Sequence, residues 1–585
     1  MQQNMLDTAS WWIENDPCKE TTAEVEDLLA KQDIETLQER FGSTLSFGTA
    51  GLRGVLGAGT NRMNEFMVAR VTQGLATYLE SKFKDETLIR IVIGYDGRHG
   101  SLPFSRVVAE VFAGAGFEVH LWEDVIPTPL VSFGVRFLNA HAGIMITASH
   151  NPPQYNGYKV YWANGAQIIP PHDSGIAEEF KKVTSYKQIS RVPFEQAKAD
   201  GYIHFLGSEM TETYLNCIGK LRLPALPGNH ETLKVVYTAM HGVGAPLALN
   251  ALRRRGINHL IPIKEQCEPD PNFSTVTFPN PEEKGALDLA LRRAAVEGAD
   301  LVLANDPDAD RTAVAVPIGS GRYVQLSGNQ VGTLLGHFIL AGLQKEGKIT
   351  GKELMATTVV SSSMLGRVAR KFGIRYEETL TGFKWIANRA MDLEKEGYRF
   401  LFGYEEALGY LAGPYVKDKD GIVTPALMAD LAAWCASKNE SILQHLDSLY
   451  CAYGYHACYN KSMVFDSPDW QDKMAVMMAA FRDHPPDRLG GLPIVETMDC
   501  LKGKRFSPDG KECGPTHLPE ANVLTYYLKG GGRATIRPSG TEPKVKFYCE
   551  VVREVPDPSE LDQIRKEAEI SARNIYAQMK EIATG

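Results

Sequence analysis

The sequence predicts an α/β fold, in which strand–helix–strand units are used three times and followed by a smaller α+β module. Three observations carry this. Short apolar runs alternate with segments of helical period along most of the chain. Each of the first three stretches ends in a polar loop directly after an apolar run, and the rhythm stops near His456. At 585 residues the chain also outgrows a single hydrophobic core, and at roughly 150 residues per domain it suggests about four domains.

The elements follow in order. Asn64 is placed to cap a helix whose apolar positions Val68, Val71, Leu75, Tyr78 and Leu79 recur at helical spacing. The apolar run 88–93, closed by Gly94, reads as a buried strand. A helix over 104–113 comes next, then a strand over Glu118–Trp122, then an apolar run over 142–148 that enters a polar turn. The second unit has strand 233–238, helix Ala245–Arg254 and strand 299–304, which ends in an acidic loop. The third has strand 353–360, helix Met364–Lys371 and strand 398–402, which ends in another. This order predicts parallel pairing with helices on both faces. It divides the chain into domains over residues 1–208, 209–322, 323–455 and 456–585.

Composition narrows the function. An apolar fraction of 44% and a charged fraction of 23% are those of a globular protein rather than a disordered one. With 62 Lys and Arg against 71 Asp and Glu, the net charge is −9, which disfavours nucleic acid as a partner. No run approaches the ~20 apolar residues that span a bilayer. The N-terminus carries Asp7, Glu14 and Asp16 where a signal peptide would be basic and then apolar. The nine cysteines include no Cys-x-x-Cys, which fits reduced thiols and a cytoplasmic setting.

Four loops carry chemistry. In open α/β units, ligands gather at the carboxyl ends of strands. Ser149, in Thr147-Ala148-Ser149-His150-Asn151-Pro152-Pro153, can present its oxygen to a cleft, with Lys159 adding positive charge nearby. No Gly-x-Ser-x-Gly elbow surrounds it, which argues against an α/β-hydrolase. Asp306, Asp308 and Asp310 alternate in the next loop, and carboxylates so crowded call for a divalent cation such as Mg²⁺ or Ca²⁺. An EF-hand would have Gly at Arg311 and Glu at Pro317, so that reading falls. Arg537-Pro538-Ser539-Gly540-Thr541 offers a guanidinium fork, hydroxyls and a small residue, the parts of a phosphate cradle. Gly403-Tyr404-Glu405-Glu406-Ala407-Leu408-Gly409 offers carboxylates for hydroxyl pairs. Together these parts describe phosphoryl transfer.

With those loops, the sequence resembles the α-D-phosphohexomutase superfamily, in its phosphoglucomutase-2/phosphopentomutase branch. The resemblance runs from Ser46-Phe47-Gly48-Thr49-Ala50-Gly51-Leu52-Arg53-Gly54 to the Arg537 loop. It passes through Gly94-Tyr95-Asp96-Gly97-Arg98, Met240-His241-Gly242-Val243-Gly244 and Thr381-Gly382-Phe383-Lys384. It implies four domains in a heart-shaped arrangement around a cleft, and a phosphosugar mutase that passes a phosphoryl group through Ser149 and a bisphosphate intermediate. Glucose, ribose or deoxyribose phosphates would be its substrates, with glucose-1,6-bisphosphate synthesis or phosphomannose turnover as alternatives. By this resemblance Ser149, Asp306, Asp308 and Asp310 hold Mg²⁺, and glucose 1,6-bisphosphate or an equivalent is the activator. Lys159 and His150 are the acid/base candidates, and an acid/base lysine requires a depressed pKa. Arg53, Arg98 and Arg311 contact substrate, and Thr381, Gly382, Lys384 and Glu405 hold the sugar. Arg537, Ser539, Gly540, Thr541 and Lys419 grip the distal phosphate. Ala407 stands where many hexomutases carry a hydroxyl, a departure that loosens the expectation of hexose specificity. The resemblance leaves the oligomeric state open.

A rival class reads Asp308-Ala309-Asp310-Arg311-Thr312 as the aspartyl-phosphate motif of haloacid-dehalogenase phosphatases. That motif needs a later Gly-Asp or Asp-Asp pair, and the chain contains neither. A non-catalytic descendant of the mutases is disfavoured by the intact Ser149, Asp triplet and Arg537.

Overall fold

The structure is a computed structural model that describes every residue except 1, 49, 50, 466, 468, 540–542 and 585. It resolves into two compact units, Met1–Val331 with Phe383–Ser437, and Gly332–Gly382 with Lys438–Gly585. The first unit opens with three helices, Gln2–Asn15, Lys19–Ala30 and Ile34–Phe41, whose amphipathic pattern the sequence reading passed over. Their buried residues Trp12, Val25 and Leu37 join the same core as Phe66 and Val68. Asn64 caps the helix Glu65–Lys82, its side chain accepting from the Met67 amide at 2.9 Å.

Two sheets in this unit position the site. The first has the order Leu52–Val55, Tyr155–Trp162, Ala142–Ile146, Arg90–Tyr95, Glu118–Trp122, Ile203–Leu206. The second has the order Arg322–Gln325, Thr312–Gly319, Leu301–Asn305, Lys234–Thr238, His259–Pro262. The inner strands pair in parallel as expected. The sheets are nevertheless mixed, which corrects the expectation of parallel pairing throughout. Ala142–Ile146 returns antiparallel as Tyr155–Trp162, and Leu301–Asn305 returns antiparallel as Thr312–Gly319. The strands Arg399–Glu405 and Gly409–Ala412 form a third antiparallel return in the same unit. Each return passes through one of the polar loops. A short loop allows only an antiparallel return, because a parallel one needs a long crossover.

The three returns share a backbone feature that no sequence repeat announces. Each contains one non-glycine residue in the left-handed region, Ser149 at φ 53°, Ala309 at φ 52° and Leu408 at φ 61°. Such residues are uncommon and mark turns held by their surroundings.

In the second unit, Glu353–Thr358 and Arg375–Thr379 pair in parallel. A largely antiparallel sheet follows, running from Tyr455–Val464 through Lys544–Arg553 and Arg533–Pro538 to Glu512–Pro515, with the helix Leu561–Thr584 packed against it. This is the α+β module expected after residue 455. Among the described residues all cysteines are free, and no helix is long and apolar enough to cross a membrane.

Candidate active site

Two hairpin loops of the first unit meet at the site. Asp96, at the end of Arg90–Tyr95, organises the first. It accepts from Thr147 Oγ1 at 2.6 Å and from Ser101 Oγ at 2.7 Å, and Thr147 in turn receives the Ser149 amide at 2.8 Å. Arg98 completes the frame. Its guanidinium donates to the carbonyls of Ser149, Asn151, Pro152 and Tyr155, with Nε 3.3 Å from Asp96. The Arg98 side chain is fully buried. Arg98, expected among the substrate contacts, thus directs its Nη donors to the backbone of this loop and holds it in place.

The second loop is anchored by Asn305. Its amide donates to the carbonyls of Arg311 and Gly421, both at 2.7 Å, while Tyr237 donates to its oxygen at 2.7 Å. Thr128, just before the helix Pro129–Phe137, reaches the same loop, its hydroxyl donating to Asp308 Oδ2 at 2.7 Å and its amide to the Asp308 carbonyl. The third return docks here as well, the Thr312 amide donating to the Leu408 carbonyl at 3.0 Å. Two glycines make this approach feasible. A Cβ at Gly409 would stand 2.2 Å from Lys419 Cδ, and one at Gly421 would stand 2.5 Å from the Ala309 carbonyl oxygen.

At the junction, Ser149 Oγ donates to Asp306 Oδ2 at 3.1 Å and lies 3.2 Å from His150 Nδ1. Lys159 Nζ donates to Asp308 Oδ2 at 2.7 Å and to Asp310 Oδ2 at 3.0 Å. Lys419 Nζ lies 3.3 Å from Asp310, and Arg311 Nε lies 4.0 and 3.9 Å from Asp306 and Asp310. Arg53 donates to Asn151 Oδ1 at 3.1 Å. Glu405 is buried in the same unit, and its charge acts on Arg311 and Lys419. Lys384 opens the helix Phe383–Lys395, and burial brings its pKa down to about 8.

The electrostatics have clear signs. Burial, then Asp308 and Asp310, push the Asp306 carboxyl well above the carboxylate range. For Asp310, burial is outweighed by Lys159, Lys419 and Arg311, and its pKa falls. For Lys159, burial is outweighed by Asp308 and Asp310, and its pKa rises. That is the reverse of the depressed lysine expected from sequence, because two carboxylates stand at hydrogen-bond distance from its ammonium. Burial and the charges of Arg311 and Arg53 hold His150 well below its ordinary value, so its ring is neutral. Lys419, expected at the distal phosphate, pairs with Asp310 and Asp418 in the first unit.

The Asp triplet suits a divalent cation. One carboxylate oxygen from each residue falls within 4.8 Å of the others, all three residues are buried, and Asp308 Oδ1 and Asp310 Oδ1 have no hydrogen-bond partner among the described residues. Hard oxygen donors left unpartnered in a buried site fit Mg²⁺.

The remaining expected residues lie in the second unit. Thr381 Oγ1 is buried without a hydrogen-bond partner among the described residues, Gly382 has φ 118°, and Arg537 is the half-buried penultimate residue of the strand Arg533–Pro538. The Ser539 amide donates to the Lys544 carbonyl at 2.9 Å. Gly540 and Thr541 lie outside the described residues. Thr147 and Asn305 open the two loops that the sequence singles out, but their positioning roles are not legible there, and Thr128 carries no signal at all.

Comparison with known proteins decides the family. Models of the phosphoglucomutase/phosphomannomutase α/β/α domains I, II and III match residues 44–187, 212–319 and 327–453, and that of its C-terminal domain matches 520–569. The phosphopentomutase of Homo sapiens is 39% identical over 578 residues, covering 95% of this chain and 92% of that protein. The chain belongs to the α-D-phosphohexomutase superfamily. Within it, the chain falls on the phosphopentomutase branch and is a phosphosugar mutase. The glucose 1,6-bisphosphate synthase of Homo sapiens, another member, is 35% identical over 583 residues, covering 96% of this chain and 92% of that protein. The four-domain mutase architecture recurs in the crystal structure of pp63/parafusin, a Paramecium phosphoglucomutase in its open form. It superposes with a TM-score of 0.67 at 19% identity, covering 93% of this chain and 96% of that one.

Proposed function

We propose that this mutase interconverts pentose 1-phosphates and 5-phosphates, with glucose 1-phosphate and glucose 6-phosphate as slower substrates, through a phosphorylated Ser149. The observation behind this reading is the Ser149 hydroxyl, 3.1 Å from Asp306 and 3.2 Å from a neutral His150, at the end of a buried strand return. The name of the human phosphopentomutase supports the pentose preference, as does Ala407, where many hexomutases carry a hydroxyl.

Ser149, Asp306, Asp308 and Asp310 would hold Mg²⁺, which when bound lowers the repulsion between the phosphoryl group and the carboxylates. The chain's own residues do the rest. In transfer to the substrate, the bond between phosphorus and Ser149 Oγ breaks and a bond to the sugar hydroxyl oxygen forms. The hydroxyl proton ends on Ser149 Oγ, and His150 is placed to take it and hand it on. Lys159 and Arg311 hold positive charge beside the transferring group. The bisphosphate then reorients and returns its other phosphoryl to Ser149, while Arg537, Ser539, Gly540 and Thr541 grip whichever phosphate is not reacting.

The test compares kcat/KM for ribose 1-phosphate and glucose 1-phosphate, with and without glucose 1,6-bisphosphate. Higher values for ribose 1-phosphate and activation by the bisphosphate are expected, and no turnover of ribose 1-phosphate would overturn the reading. A second reading, bisphosphate synthesis, is favoured by the likeness to glucose 1,6-bisphosphate synthase. It would win if 1,3-bisphosphoglycerate phosphorylated glucose 1-phosphate faster than mutase turnover proceeds.

A further inference from the structure

After the strand His259–Pro262, at the edge of the second sheet, and the short helix Lys264–Cys267, the chain runs through Glu268-Pro269-Asp270-Pro271-Asn272-Phe273-Ser274-Thr275. Two prolines fix φ at their positions. Asp270 closes the turn, its carboxylate accepting from the Asn272 amide at 2.9 Å, the Ser274 amide at 3.1 Å and the Ser274 hydroxyl. The Asp270 amide donates to the His241 carbonyl at 3.0 Å, and His241 Nε2 lies 2.8 Å from Thr275 Oγ1. The turn also seats on the Arg98 loop of the first sheet. His99 Nε2 lies 2.9 Å from Asn272 Oδ1, and a Cβ at Gly97 would stand 2.7 Å from Pro269 Cβ.

Within this turn Phe273 has φ 50°, a left-handed backbone that a bulky residue rarely adopts. Its ring lies over Arg98, whose Cζ is 4.8 Å from the ring centroid, and both side chains are buried. The hydrogen bonds to the carbonyls of Ser149, Asn151, Pro152 and Tyr155 set where the guanidinium donors point. The electron-rich ring face adds an attraction to the charge itself, stronger for being desolvated.

We propose that Phe273 is a positioning residue for phosphoryl transfer: its ring braces the Arg98 guanidinium, and through it the backbone that presents the Ser149 hydroxyl. This rests on Ser149 as the phosphoryl carrier. Transfer needs the attacking and leaving oxygens in line through phosphorus, and a misplacement of about 1 Å can cost on the order of 10²-fold. Arg98 grips the Ser149 carbonyl itself, so a loosened guanidinium shifts the nucleophile directly. An apolar plug would account for the burial of Phe273. It would not account for a strained backbone that sets a ring face on a cation.

The experiment replaces Phe273 in the full chain by mono-, di- and trifluorinated phenylalanine, which drain the ring face stepwise while nearly keeping its shape and apolarity. Two rates are read: kcat, and phosphorylation of Ser149 by glucose 1,6-bisphosphate in a single turnover. Both should fall with each fluorine, by roughly 2- to 30-fold across the series. KM for the sugar phosphate and the melting temperature should stay near those of the wild type. Phe273→Leu, which fills the space without a ring, should be at least as slow as the trifluorinated form. Rates independent of fluorination, with Ser149 phosphorylated in every form, overturn the proposal and leave the carrier assignment standing. A wild type that turns over with no phosphate on Ser149 overturns both.

Discussion

Two buried ionic clusters in this chain use the same side-chain chemistry to opposite ends. One joins Ser149, His150, three aspartates and the cations Lys159, Lys419 and Arg311. The other, in the second unit, joins Ser362, His456, Glu550, Glu378 and Arg533. There Ser362 Oγ donates to Glu550 Oε1 at 2.7 Å, His456 Nδ1 lies 3.0 Å from the same oxygen, and Arg533 Nη1 donates to Glu378 at 2.8 Å. A list of Ser, His and acid would not tell them apart. Placement does. The first cluster sits on strand returns and crowds three carboxylates on one loop. In the second, the acids sit within strands, and Arg533 stands between Glu378 and Glu550. Crowded like charges mark a place that waits for a ligand, whereas alternating charges mark a joint.

Substitutions should separate the two. The largest effect is expected at Ser149→Ala, which should abolish mutase turnover while leaving the melting temperature near that of the wild type. Intact-mass measurement should find a phosphorylated fraction in the wild type and none in the mutant, and full turnover in the mutant would remove Ser149 from the reaction.

Glu550→Gln should do the reverse and cost stability before chemistry. Breaking a buried pair costs roughly 3–5 kcal/mol, read here as a lower denaturation midpoint for the second unit. Its pH dependence has a definite sign. Burial alone would raise the Glu550 pKa, but His456, Arg533 and Ser362 bring it down from 4.5 to about 2. The stabilisation is therefore full above the unfolded value of 4.5 and is lost as pH falls from there toward 2. Acid unfolding over that window should be steep in the wild type and shallower in Glu550→Gln, and equal slopes would refute the joint.

Asp308→Asn should raise the Mg²⁺ concentration for half-maximal activity and lower turnover together, because it removes one charge from three. An unchanged Mg²⁺ titration would make the triplet structural. The smallest effect is expected at Ala407→Ser, where one added hydroxyl offers a hexose a hydrogen bond of about 0.5–1.5 kcal/mol. The kcat/KM ratio of glucose 1-phosphate to ribose 1-phosphate should rise a few-fold, and a shift toward ribose would overturn that assignment.

Much of this was legible in the sequence, for physical reasons that differ from residue to residue. The Asp triplet announced itself because carboxylates at alternate positions after an apolar strand have few other uses. The α/β units showed because buried strands are continuous apolar runs. The antiparallel returns did not show, because the hydrophobic pattern reports burial and says nothing of direction. Arg98 and Lys419 show a related limit: sequence gives a cation's presence, while its partner within the protein is fixed by the fold. Arg98 turned to the Ser149 backbone and Lys419 to Asp310. The N-terminal helices went unread although Trp12, Val25 and Leu37 mark their buried face.

The left-handed backbone at Ser149 has a consequence for which alcohol the loop can carry. Threonine bears the same hydroxyl, and by chemistry alone it would be an adequate phosphate carrier. At φ 53°, however, a β-branched side chain collides with its own backbone, a strain on the order of 1–3 kcal/mol. The loop has little means of relaxing, since Arg98 holds its carbonyls and Thr147 holds its amide. Choice of nucleophile is thus made by main-chain geometry before any reactivity is consulted. An engineer seeking to retune this enzyme with a secondary alcohol would have to rebuild the turn first.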